Sequence, residues 1–174
     1  REQRPDIIYI FSKDILRHRR AQKEDAVWLK KGEEYKDETL SVRAFGSTDV
    51  GVSFLLQTGG KKIFHAGDLN NWHWMDESTE AEWKGAEKNF LHELDDLYAY
   101  TPEVDVAMFP VDPRLGKEYM RGAGQFVTKI KTHIFVPMHF TPEYAKANAF
   151  RDFAEAHGVR FVSLTHRGQK IEIE

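Results

Sequence analysis

The sequence predicts one layered domain of the α/β (α+β) class. Three observations carry this. Residues 26 to 67 are short apolar runs separated by glycine turns, the mark of a β-meander. From Thr79 onward, helix-period and strand-period segments alternate. No repeat, low-complexity tract or linker divides the 174 residues, a length that suits one domain with a real core.

The elements follow in order. "DIIYIF" (6–11) reads as a buried strand, and "SKDILRHRRA" as a short helix whose basic "RHRR" end is solvated. "AVWLKKGEEYKD" and "LSVRAFGS" carry strand segments, with a turn at Lys31-Gly32. Gly59-Gly60, between "GVSFLLQT" and "KKIFHAG", is a hairpin signal. Beyond it, Thr79-x-x-Glu82 forms a capping box for a helix with Trp83, Phe90, Leu94 and Leu97 on one face. "VDVAMFPV" (104–111) and "HIFVPMHF" (133–140) are strands, and "EYMRGAGQFVTKI" between them is a helix weakened by Gly122 and Gly124. In "TPEYAKANAFRDFAEAHG", Thr141 is expected as cap, Pro142 at the first helical position and Gly158 as the stop, with Phe150, Phe153, Ala154 and His157 buried. "VRFVSL" and "KIEIE" are expected to close the chain as a hairpin.

Composition narrows the chemistry. A net charge of −3 without a basic stripe gives nucleic acid no general attraction, and no apolar run approaches a membrane span. Cysteine is absent, which excludes disulfides, thiolate nucleophiles and sulfur-bound zinc, and fits a reducing, cytoplasmic setting. Any metal must be held by histidine and carboxylate. The sequence contains no G-x-S-x-G, Walker loop, G-x-G-x-x-G or H-E-x-x-H.

Two strand-to-loop exits remain. In "HAGD", Gly67 lets the chain turn sharply and aims Asp68 over the end of its strand. In "PMHFTP", His139 stands between a strand and a helix start. Ligands of layered α/β folds collect at such carboxyl-terminal strand ends, and a carboxylate with an imidazole is the nucleus of a zinc or manganese site. A capping aspartate and a packing histidine are the structural alternatives.

"FGSTDVGVSFLLQTGGKKIFHAGDLNNW", then "VDVAMFPV", then "FVPMHF" resembles the later part of the metallo-β-lactamase superfamily, in its lactonase-like branch, over roughly residues 40 to 145. The resemblance implies part of a four-layer αββα sandwich with a mixed sheet. It also implies a metal-dependent hydrolase that uses zinc or manganese, with activated water attacking an ester, lactone, amide or phosphoester of a small-molecule substrate. Asp68 matches the aspartate that bridges two metals, and His139 the histidine of the second metal. The family's His-x-His-x-Asp-His motif is absent, since no two of the eight histidines stand two residues apart. The family places that motif before a segment like "REQRPDIIYIFS", so the chain is expected to continue a longer polypeptide, to be inactive alone and to pair with that segment or with itself. A metal-free binding or assembly module on the same fold is the alternative.

Other residues carry two readings each. Asp49 stands where the family has a middle histidine; it either replaces that ligand or makes a local turn with Ser47. His65 either supports the metal beside Asp68 or is a hydrogen-bonded structural histidine. Trp72, His73 and Trp74 either line a substrate pocket or form a rim that anchors the next helix. Lys117 and Arg121 either meet an anionic substrate or lie on a solvated helix face. Phe140 is expected to pack, and His133 and His166 to lie at the surface.

Overall fold

The computed structural model describes residues 6–18 and 22–172. Residues 1–5, half of the basic "RHRR" end and the last two residues of "KIEIE" lie outside them.

A seven-stranded mixed sheet organises the chain in the order β3-β4-β5-β6-β7-β8-β9. Its first half is the expected meander: β3 (Glu34–Lys36), β4 (Leu40–Phe45), β5 (Ser53–Thr58) and β6 (Lys61–His65), each antiparallel to the next. Gly59 and Gly60 both have positive φ, 55° and 76°, as the two-residue hairpin turn between β5 and β6 requires. The second half is parallel: β7 (Glu103–Pro110), β8 (Lys131–Met138) and the short β9 (Arg160–Phe161) continue in the direction of β6. Helices make the crossovers, as parallel strands demand. Helix α1 (Glu80–Tyr100) starts at Thr79 with the capping box to Glu82 in place, and α2 (Arg121–Lys129) leads into β8.

The core follows the period of two along the strands. Phe45, Leu55, Phe64, Phe109, Phe135 and Phe161 turn to the face covered by Phe90, Leu94 and Leu97 of α1 and Phe126 of α2. Phe109 sits at the centre, fully buried, with ring contacts to Phe90, Phe126 and Phe135. On the opposite face, Val42 and Ala44 meet Leu29, while Val106, Ile134 and Val162 form a separate cluster. Part of this face is covered by a two-stranded parallel sheet of β1 (Ile10–Ser12) and β2 (Val27–Leu29). Helices, large sheet and small sheet make the layers of the expected α/β class.

Three expectations need correction. "DIIYIF" is a strand only from Ile10, and Ile7, Ile8 and Phe11 are exposed; a short apolar run without alternation does not say which face is covered. The segment after β8 is two short helices, α3 (Tyr144–Asn148) and α4 (Arg151–Ala156). Glu143, at φ −82° and ψ 64°, stands before α3 without a side-chain cap, so neither Thr141 nor Pro142 has the expected role. Phe150 and Ala154 are buried there, but Phe153 and His157 are exposed. The closing hairpin is absent among the described residues: β9 pairs in parallel with β8, and Ile171 packs as a single side chain on the Val106 cluster. Gly158 does end α4, at φ 75°.

Truncating Phe109 removes a ring that joins strand and helix layers. We expect Phe109→Ala to cost about 3–5 kcal/mol, read from the urea midpoint at unchanged slope.

Candidate functional site

Because β6, β7 and β8 are adjacent and parallel, their carboxyl ends open on one edge of the sheet. The ladder continues one step past each strand: Ala66 N donates to Met108 O at 2.9 Å and Val111 N to Met138 O at 3.0 Å. Three turns therefore leave side by side. They carry Asp68, Asp112 and His139.

The turn after β6 uses Gly67 at φ 57°, where an added Cβ would stand 3.0 Å from Val52 O, so glycine is needed on two counts. Asp112 ends the β7 exit almost fully buried, at 1% exposure. It accepts from the Arg114 backbone N at 3.0 Å and from Arg114 Nε, which lies 3.0 Å from both carboxylate oxygens. His139 has φ 65°, the left-handed region that a non-glycine residue adopts only under constraint. Its Nδ1 lies 2.8 Å from Asp112 Oδ2, and its Nε2 lies 3.3 Å from Asp68 Oδ1. Burial alone would raise the Asp112 pKa. Hydrogen bonds from the Arg114 side chain and backbone, with one from His139, reverse this and hold it below the ordinary carboxylate value.

The structure thus joins Asp68 and His139, and adds Asp112 and Arg114, which the motifs did not single out. Asp112 was obscured because "VDPR" reads as an ordinary helix cap, and the carboxylate does cap the 3-10 turn Pro113–Glu118. His65 accepts from Gly67 N at 3.1 Å through Nδ1, within its own turn. Asp49 is exposed in the Ser47 turn, its N donating to Ser47 Oγ at 3.3 Å. Trp72 packs edge-on against His139, with ring centroids 5.4 Å apart, donates from its indole to Asp68 O at 2.8 Å, and stacks on Trp74. His73 is buried, with Nε2 3.1 Å from Glu118 O and Nδ1 accepting from Met75 N. Arg121 pairs with Glu87 at 2.8 Å, Lys117 is exposed, and Phe140 packs edge-on with Tyr144. His133 and His166 are exposed.

Behind the Asp68 turn lies a polar brace. Asn71, fully buried, donates to Gln125 Oε1 at 2.9 Å and Glu87 Oε1 at 3.3 Å, and Glu87 also receives Arg121. Thr48 Oγ1 closes the same turn, donating to Asn70 O at 2.6 Å. Helix α2 comes so close that a Cβ on Gly122 would meet Asn70 Oδ1 at 2.0 Å and Asn71 N at 3.0 Å. The Arg121 guanidinium above all, then Gln125 and Asn71, holds the Glu87 carboxyl below its ordinary 4.5 against partial desolvation.

A fourfold-coordinated zinc with bonds of about 2.0–2.1 Å places two of its donors about 3.3 Å apart. The Asp68–His139 separation fits that requirement. The donor count does not: a catalytic zinc takes three protein ligands, and among the described residues no group of three histidine or acidic side chains could hold a metal.

Two expected outcomes follow from the brace. Gly122→Ala should cost about 1–3 kcal/mol, measured by denaturant unfolding, because the clash falls on a buried amide and a backbone nitrogen. Glu87, with a depressed pKa, adds stability that is complete above 4.5 and is lost as pH falls through its lower folded value. Glu87→Gln should flatten that acid limb in urea midpoints taken across pH.

No family model matches the chain, and no curated protein matches it. Solved structures do. A candidate metal-dependent hydrolase from Parabacteroides distasonis aligns with TM-score 0.62 at 15% identity, over 91% of this chain and 64% of its own. Zinc-bound PqqB from Methylobacterium extorquens aligns with TM-score 0.52 at 14% identity, over 92% and 64%. YhfI from Bacillus subtilis, a metallo-β-lactamase fold protein, gives 0.52 at 6% identity, over 86% and 58%. The chain spans less than two thirds of each of these proteins. No described helix is long and apolar enough to cross a membrane. With its mixed sheet, its helical layer and this likeness in space, the chain adopts the metallo-β-lactamase fold.

Proposed function

We propose that the chain contributes Asp68 and His139 to the metal centre of a metal-dependent hydrolase, whose further donors come from outside the described residues. The observation that carries this is the 3.3 Å approach of His139 Nε2 to Asp68 Oδ1, from turns at the ends of β6 and β8, the two strands that flank β7. Zinc or manganese is the metal this donor chemistry suits. When bound, such a metal acidifies water and polarises a substrate oxygen, which serves hydrolysis of an ester, lactone, amide or phosphoester in a small molecule.

The chain's own residues supply orientation. Asp112 Oδ2, 2.8 Å from His139 Nδ1, anchors the ring from one side and turns Nε2 toward Asp68. Trp72 holds the ring from its edge and ties the Asp68 carbonyl, so donor and carboxylate share one wall. The left-handed backbone at His139 is strain of the kind that surrounding structure sustains at working sites.

A second reading is favoured by the donor count: a metal-free binding module on the same fold. Zinc affinity, measured by competition with a chromophoric chelator, separates the two. On the proposed reading the chain binds zinc weakly, Asp68→Ala and His139→Ala each abolish binding, and Asp112→Asn weakens it about 10–100-fold. Affinity that is nil, or equal in all four proteins, overturns the metal reading in favour of the module.

A further inference from the structure

Arg114 is held in a way that neutralising Asp112 does not require. A guanidinium has two hydrogen-bonding edges. Asp112 occupies the Nε and Nη2 edge, in a bidentate grip on a carboxylate that is almost wholly buried. Nη2 also lies 3.3 Å from His139 Nδ1, while Nη1 bonds to none of the described residues, and the side chain is 64% exposed. It borders a cavity of about 310 Å³ that His139, Pro113, Phe140 and Thr141 also line. The one acid on the rim besides Asp112 is Glu143, and Lys146 engages its carboxylate at 2.6 Å.

The loop that carries Arg114 is itself fixed. Gly116 has φ 81° and lies so close to Asp76 that a Cβ there would stand 2.1 Å from its carboxylate. Glu118 O meets buried His73 at 3.1 Å. A cationic fork is therefore presented at a set angle, with its ordering cost met by the fold, beside the imidazole that faces Asp68. Such a preorganised cation, with its Nη1 hydrogens unengaged, suits an oxygen of a carboxylate or phosphate.

We propose that Arg114 is an anion-binding residue that takes the terminal carboxylate or phosphate of a small substrate on its Nη1 edge, in the cavity next to His139. This deepens the proposed function and rests on it for the meaning of the site, though the binding step needs no metal. It also moves anion recognition from Lys117 and Arg121 to the arginine at the β7 exit.

The test uses the full chain, stripped of metal by a chelator, at ionic strength fixed with sodium chloride. Inorganic phosphate and acetate are titrated separately, and the Arg114 side-chain and His139 resonances are followed by NMR. Saturable shifts at these resonances are expected with phosphate, acetate or both, and the tighter of the two assigns the substrate's anion. Arg114→Gln should weaken that binding about tenfold or more, the loss expected for charge-assisted hydrogen bonds. Arg114→Lys should recover part of it, since the charge is kept and the fork is lost. Lys117→Gln should leave it unchanged. The proposal is overturned if neither anion gives a saturable shift, or if Lys117→Gln weakens binding as much as Arg114→Gln. Failure of the metal reading registers in the chelator competition and not here, because this titration contains no metal.

Discussion

A carboxylate that is 1% exposed at the end of a strand dominates the local physics of this protein. Asp112 has left water, and a charge in that position must be paired and hydrogen-bonded or it destabilises the fold by several kcal/mol, about 3–5 when a partner is lost. Three demands on the neighbours follow. The next residues turn at once into a 3-10 helix, so that the Arg114 backbone N–H reaches the carboxylate. The Arg114 side chain folds back onto its own cap. The chain leaving β8 turns left-handed at His139, so the imidazole comes to Asp112 and not to the strand's next outward position.

The two halves of the sheet divide the labour. The antiparallel meander needs only local turns, and it sets β6 against the middle of the sheet. The parallel half, costlier in chain because each return takes a helix, aligns three carboxyl ends and so gathers three exits. Those same helices stand behind the exits. Glu87 on α1 and Arg121 and Gln125 on α2 meet at Asn71, and Gly122 lets the helix approach the turn that no side chain could share. Scaffold and site are thus braced through one set of buried polar contacts.

What the sequence discloses is what local pattern controls. The Gly59-Gly60 turn, the Thr79–Glu82 box and the Gly158 stop all follow from neighbours within a few residues. Asp68 and His139 were readable for the same reason, each sitting where an apolar strand gives way to a turn. Asp112 was not, because its burial comes from the strands that flank β7, and its local pattern is that of a cap. The alternation in "KIEIE" imitates a strand, yet its described residues 170–172 form none, and Ile171 packs on the sheet as a single side chain. The last helical segment is divided at Ala149 and Phe150, where Phe150 packs on Phe135 and Phe161, a division that its periodicity did not signal. Long-range topology decides these cases, and periodicity does not encode it.

Trp72 and Trp74 stand with ring centroids 6.4 Å apart and planes 17° from parallel, while Trp28 and Trp83 lie on other elements. Two indoles so placed exchange excitation, and their coupled transitions impose a paired band on the circular dichroism spectrum. Since Trp72 also touches His139 and ties Asp68, that band is a native optical gauge of the loop on which both depend. The protein carries its own reporter beside the candidate site.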